Sequence, residues 1–320
     1  MRAVPAWARF AAAAGTLAFV VWRLGAGPFL DGVRAVDGRA LLAASAIGLL
    51  TTVCCAWRWT VVARGLGISL RLPAAVAAYY RSLFLNVTLP GGVAGDIHRG
   101  VRHGRDTRDV GRALRAVGWE RGAGQVVQAV LTVAALLVLP SPVRATMPFV
   151  AAGLVAAVAV ALLVDRASAR GGSSPWTRVR NVVAADVRAA LLHRKALPAV
   201  ALASAVVVLG HAMTFMVAAR AAGVTAPTLR VLPLALLALL AMVLPSVAGW
   251  GPREGATAWV FAAAGLGADR GAATAVTYGV LVLVASAPGA IVLLVGWFLG
   301  RSPRRRRAPV VALPKGAADA

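Results

Sequence analysis

The chain has 320 residues, 60% of them hydrophobic and 14% charged, whereas soluble proteins carry about 25% charged residues. Its formal net charge of +23 arises from 34 Lys and Arg set against 11 Asp and Glu. This composition excludes a soluble enzyme, and it argues against a nucleic acid partner, because the basic loops of so apolar a chain face anionic lipid headgroups.

A helix needs about 20 apolar residues to cross the hydrocarbon layer. In chain order such stretches fall near 8–26, 40–62, 122–140, 147–164, 196–219, 230–248 and 271–299. They predict an all-α polytopic integral membrane protein with about seven full transmembrane helices. The first stretch follows Arg2 and Arg9 and meets no small-residue cleavage site before Arg23, so it reads as a retained span. Cys54 and Cys55, adjacent within the second, point in different directions on a helix and read as packing residues. Two shorter apolar stretches, 72–90 and 252–267, are interrupted by Leu89-Pro90-Gly91-Gly92 and by Gly251-Pro252, and these read as broken or re-entrant segments. Between 165 and 195 a Gly171-Gly172-Ser173-Ser174-Pro175 linker precedes an expected interfacial helix. A single membrane domain is expected over 1–300, followed by a disordered basic tail, 301–320, whose Arg304-Arg305-Arg306-Arg307 run would lie against anionic lipid.

Basic residues concentrate at Arg2, Arg9, Arg64 and Arg71, between 96 and 121, between 165 and 195, and in the tail; only scattered arginines such as Arg34, Arg39, Arg144, Arg220 and Arg230 fall in the alternate loops. The positive-inside rule then places the N-terminus and the tail in the cytoplasm and the chain in the cytoplasmic membrane. With Asp106 or Thr107 as N-cap, Arg108, Arg112, Arg115 and Trp119 form one helical stripe expected at the membrane interface. Arg58, between Trp57 and Trp59, is expected to snorkel to the headgroups, and His211 reads as a packed helix contact.

Catalytic signatures are missing from the sequence. Neither lysine is followed by a hydroxyl residue as a Walker A loop requires, no Cys-x-x-Cys or His-Glu-x-x-His occurs, and the histidines lack metal-ligand spacing. No catalytic residue, metal or cofactor is therefore expected, and the chain is not expected to be an enzyme.

Two glycine-rich polar breaks stand out, Asn86 through Arg99 and Leu244 through Gly255. Leu-Pro, a small residue and Val-Ala-Gly recur in both, with Pro90 and Pro245 155 positions apart, and each copy ends with an acid and an arginine. This suggests an internal pseudo-repeat. Unwound backbone at membrane depth is tolerated only where it is buried in protein or lines a wet cavity, and paired breaks of this kind point to a transporter's substrate site. Half-helix N-termini there would offer free N–H groups to an anion. The expected substrate-binding set is Asn86, Pro90, Gly91, Gly92, Gly95, Asp96, Arg99, Glu120, Arg121, Pro245, Gly249, Gly251, Arg253 and Glu254, joined by Arg81 as a further candidate. The arginines would grip a phosphate while Asp96, Glu120 and Glu254 orient them or carry a coupling proton. A structural alternative is that Glu120-Arg121 and Arg253-Glu254 simply neutralise one another inside the bilayer.

These residues carry a resemblance. Pro90, Gly91, Gly92, Gly95, Asp96 and Arg99, then Glu120-Arg121, then Gly251, Arg253 and Glu254, resemble the motifs of the lysylphosphatidylglycerol synthase transmembrane-domain family, and the likeness extends over nearly the whole chain. The resemblance implies a flippase-like protein akin to the membrane region of multiple peptide resistance factors, without the synthase domain that loads lysine onto lipid. The expected function is translocation of a phospholipid or a polyprenyl-phosphate type lipid. The alternative is a non-catalytic lipid-binding partner or scaffold for an envelope lipid or glycan enzyme, and a membrane-embedded lipid-modifying enzyme ranks third.

Overall fold

The computed structural model describes residue 22 and residues 27–89, 92–168, 175–242 and 251–301. The described residues form helices and connecting turns with no strand, as the all-α reading requires. The helices are α1 (Gly27–Arg34), α2 (Gly38–Gly65), α3 (Leu72–Thr88), α4 (Ala94–Thr107), α5 (Val110–Val138), α6 (Met147–Ser168), α7 (Pro175–Ala190), α8 (Ala196–Ala221), α9 (Thr228–Ala241), α10 (Pro252–Ala263), α11 (Ala268–Ser286) and α12 (Pro288–Arg301). The basic tail and most of the first apolar stretch lie outside the described residues.

Among the described residues, four helical stretches are long and apolar enough to cross a membrane: α2, α5, α8 and the run Ala268–Phe298, in which α11 and α12 follow one another. The other elements near the centre are too short. At 1.5 Å per residue α4 and α9 are each about 21 Å long, against a hydrocarbon core of about 30 Å. They belong to two hairpins. In the first, α3 rises from Arg71, stops at Leu89 with the extended backbone that a following proline favours (φ −99°, ψ 148°), and α4 returns alongside it. In the second, α9 and α10 pack together, and Arg230 Nη2 at the start of α9 donates to the Ala264 carbonyl just past the end of α10 at 2.7 Å.

The hairpins enter from opposite ends of the bundle. The first starts and ends near 66–71 and 107–109, the end at which α7 packs on α2; the second starts and ends where α8 runs out. Of the stretch 230–248, expected to span, the described residues 230–242 thus belong to the outgoing arm of a hairpin. Hydropathy registers burial in apolar surroundings, and α9 meets that condition with Val231, Leu234, Ala235 and Leu239 buried against Phe215, Phe261 and Tyr278. The re-entrant readings of 72–90 and 252–267 agree with the helices found there.

The N-cap of α5 is Asp109, whose Oδ1 accepts from the Arg112 amide at 2.9 Å, and not Asp106 or Thr107. Arg108 sits between helices in the left-handed region at φ 60°, closing α4 and reversing the chain, so it lies off the expected stripe. In the remainder of that stripe Arg112 pairs with Asp109 at 3.1 Å, and Arg115 Nε and Trp119 Nε1 donate to Asp186 Oδ2 on α7 at 2.7 and 3.0 Å. α7 follows the Gly-Ser linker and is amphipathic, in keeping with an interfacial helix.

Candidate functional site

The turn of the first hairpin positions a cluster of buried charges. Helix α4 approaches α3 so closely at Gly95 that a Cβ there would lie 2.0 Å from the Ser82 carbonyl oxygen. Asn86 locks the two arms, its Oδ1 accepting from the Gly95 amide and its Nδ2 donating to Asp96 Oδ2, both at 2.8 Å. Ser82 Oγ adds a hydrogen bond to Asp96 Oδ1 at 3.1 Å. Asp96 in turn accepts from Arg99 Nε at 2.9 Å and pairs with Arg121 on α5.

Arg99, 1% exposed, extends from Asp96 to Glu120 on α5, where Nη2 meets Oε2 at 2.6 Å. Its guanidinium carbon lies 4.6 Å from the Trp59 ring centroid and 4.3 Å from that of Tyr79, a double cation–π contact. Glu120 also receives Arg58 from α2, through Nε at 2.9 Å and through Nη2, and the Tyr79 hydroxyl at 3.2 Å. Arg58 Nη1 donates to Ser204 Oγ on α8 at 2.8 Å. Three guanidinium groups, Arg58, Arg99 and Arg121, thus face two carboxylates, Asp96 and Glu120, and Arg99 Nη1 has no hydrogen-bond partner among the described residues. Counting the partly exposed Arg121, the centre carries one excess positive charge, and the open donor of Arg99 is buried.

The second hairpin builds a smaller centre at the start of α10. Gly251 takes φ 116°, a conformation that favours glycine, and Pro252 opens the helix at its first position. The Gly251 amide donates to Glu254 Oε2 at 2.6 Å, and Arg253 pairs with Glu254 Oε1, its Nε at 3.0 Å. Arg253 lies 5.1 Å from the Tyr278 ring centroid, and the Tyr278 hydroxyl is 3.0 Å from His211 Nδ1.

Residues 6–305 match the family described as the lysylphosphatidylglycerol synthase TM region. The chain belongs to this family. A search of curated proteins gave no match. Membership supports a membrane protein with a lipid-related role, and both motifs of the family resemblance fall on the two buried centres.

The structure brings Asn86, Gly95, Asp96, Arg99, Glu120 and Arg121 together, while Gly251, Arg253 and Glu254 form a separate neighbourhood on α10. Gly92 lies in the first turn at φ 65°. Pro90, Gly91, Pro245 and Gly249 lie outside the described residues. Arg81 is buried on α3 apart from both ion-pair sets, its Nε without a partner among the described residues. The expectation of free half-helix N-termini is corrected in both hairpins. Asn86 already occupies the Gly95 amide, Glu254 the Gly251 amide, and each first turn holds its own carboxylate against the positive end of the helix dipole. Open donors among the described residues sit on side chains instead: Arg99 Nη1 and Trp59 Nε1 at the first centre and Arg81 Nε on α3.

Arg58 is also corrected. It does not snorkel: 5% exposed, it turns inward because Glu120 offers a carboxylate and Gly124, one turn on, leaves room, a Cβ there falling 2.7 Å from Arg58 Nη1. Sequence reading missed Arg58, Tyr79, Ser82 and Ser204 in the first centre and Tyr278 in the second. The usable signal was a lone arginine within an apolar span, which by default marks a functional position with an acidic partner elsewhere. His211 is more than a packing contact, since its ring nitrogen meets Tyr278. Together with Thr51, Thr52, Tyr79, Thr214 and Ser286 it lines a cavity of about 60 Å³ between the two centres, large and polar enough for water.

Gly95→Ala tests the hairpin directly. Its methyl group would strike backbone that no rotamer can move, so α4 must part from α3 and Asn86 and Ser82 must release it. A loss of about 3 kcal/mol in unfolding free energy is expected by analogy with overpacked cores, read from SDS-driven unfolding in mixed micelles followed by circular dichroism.

Proposed function

We propose that this protein moves a phosphate-bearing lipid, a phospholipid or a polyprenyl-phosphate type carrier, between the leaflets of the cytoplasmic membrane, with its basic loops and tail on the cytoplasmic side. The observation that carries the reading is the net positive centre at the turn of a re-entrant hairpin, where Arg99 Nη1 lacks a partner while the rest of its guanidinium is held by Asp96, Glu120 and two aromatic rings. An anionic headgroup entering this centre meets an uncompensated charge and escapes the cost, several kcal/mol, of a charge in bare hydrocarbon. The acyl chains stay in the lipid. The second centre, reached from the other end of the bundle and separated by the polar cavity, offers the headgroup its next contact. No covalent chemistry is required of any residue.

The test is leaflet sidedness of labelled anionic phospholipids in liposomes containing purified protein. Wild type is expected to equilibrate or transport the label. Asp96→Asn, which weakens the hold on Arg99 and Arg121, and Arg253→Gln, which removes the cation of the second centre, are each expected to abolish movement while the protein still purifies folded. No movement above protein-free liposomes, across phospholipid and polyprenyl-phosphate headgroups and with a proton gradient imposed, would overturn the translocase reading in favour of a non-transporting lipid-binding partner.

A further inference from the structure

We infer that a groove at the far end of the seam between α2 and α8 is a binding site for an anionic phospholipid of the adjoining leaflet, and the side entrance to the polar interior. As an entrance it rests on the translocation proposed above; as a lipid site it does not.

The groove, about 660 Å³, runs between the first turns of α2 and the last turns of α8 and is closed by Thr228. Two arginines stand on its rim, Arg39 two residues inside the N-cap of α2 and Arg220 two residues before the C-cap of α8, both exposed. Neither has a carboxylate partner among the described residues. Asp37, on the same rim, turns its Oδ1 to the Ala40 amide at 2.7 Å as the cap of α2. Arg220 is fixed in place, Nη1 donating to the Val224 carbonyl at 2.6 Å and Nη2 to Thr228 Oγ1 at 3.4 Å, and a guanidinium with five N–H groups has donors to spare.

Depth decides what the groove can hold. Arg39 and Arg220 lie at helix ends, where headgroups reside. Met213, seven residues and about 10 Å below Arg220 along α8, is 59% exposed, and Met216 and Val217 continue that apolar wall. A basic rim above an apolar wall on a membrane-spanning bundle matches a phosphate with an acyl chain below it. A soluble anion would leave the wall unused, and a zwitterionic lipid would leave the net charge of the rim unanswered. The groove and the cavity lie on the same two helices: Ala40 lines the groove and Ala44, one turn on, lines the cavity, while on α8 Met213 lines the groove and Thr214 the cavity. Tyr79, on the far wall of that cavity, donates to Glu120 of the first centre.

The experiment is native mass spectrometry of the purified full chain titrated with phosphatidylglycerol or phosphatidylcholine, comparing wild type, Arg39→Gln/Arg220→Gln and Arg39→Lys/Arg220→Lys. The glutamine pair is expected to bind phosphatidylglycerol about tenfold to thirtyfold more weakly, from roughly 1 kcal/mol per basic residue near anionic lipid. The lysine pair is expected to recover most of that loss, and phosphatidylcholine adducts are expected to stay unchanged. Arg39→Gln alone, at an exposed side chain, is expected to keep the wild-type unfolding midpoint, while the pair loses the Arg220 bond to Val224 and unfolds slightly more readily, a change that phosphatidylcholine binding does not follow. Phosphatidylglycerol adducts equal to wild type in the glutamine pair, parallel loss of both lipids, or a change confined to oligomeric state would each overturn the site. Sidedness measured in parallel separates the two proposals. Lipid movement in wild type with phosphatidylglycerol binding indifferent to the arginines removes the entrance and leaves the translocase, whereas arginine-dependent binding without movement keeps the site and removes the translocase.

Discussion

Glu120→Gln is expected to lower the unfolding free energy by about 3–5 kcal/mol, the cost of removing one partner from a buried ion pair. Glu120 is fully buried and answers Arg58 from α2, Arg99 from α4 and the Tyr79 hydroxyl from α3, so one carboxylate on α5 ties four helices. A glutamine fits the same space and still accepts hydrogen bonds through its amide oxygen, but it leaves guanidinium charge uncompensated in an apolar bundle. Adding Arg58→Met to Glu120→Gln is expected to restore part of the loss, since it removes one of those cations while Arg99 keeps Asp96. Unfolding in mixed SDS micelles of both single variants and the double completes the cycle. A double variant no more stable than Glu120→Gln alone would show that the charge balance is not what holds these helices.

At the second centre, Glu254 is expected to separate into two measurable roles. Its Oε2 caps α10 by accepting the Gly251 amide, and its Oε1 balances Arg253. Gln retains a capping oxygen and loses the charge; Ala loses both. Glu254→Gln is therefore expected to destabilise by about 3 kcal/mol, and Glu254→Ala by roughly 1 kcal/mol more, the usual worth of an N-cap contact. The same unfolding assay reads the difference. Equal losses in the two variants would assign the whole effect to charge.

Much of the architecture was legible in the sequence because membrane insertion depends on local composition. Apolar runs near 40–62, 122–140 and 196–219 correspond to α2, α5 and α8, and the Pro-Gly breaks mark where α3 stops and where α10 starts. The re-entrant character of 72–90 followed from its shortness together with the Leu89-Pro90-Gly91-Gly92 break, and the helix there runs from Leu72 to Thr88. The stretch 230–248 was misread as a span because α9 is as apolar as a true span; its return through α10 is fixed by packing on Phe215 and Tyr278 and by the Arg230 bond to Ala264, which hydropathy does not register.

The site divides along the same line. Asp96, Arg99, Glu120, Arg253 and Glu254 were visible as charges where charge is costly, so sequence alone determined that two polar centres exist inside this membrane protein, and its family motifs fall on them. Only tertiary structure decided their composition. Arg58 and Glu120 are 62 positions apart, and His211 and Tyr278 67, so each meets its partner through helix packing that no local pattern encodes. The same packing decided that the helix N-termini carry their own carboxylates and that an open donor belongs to Arg99, because a buried charge is settled by whichever opposite charge the fold brings within reach.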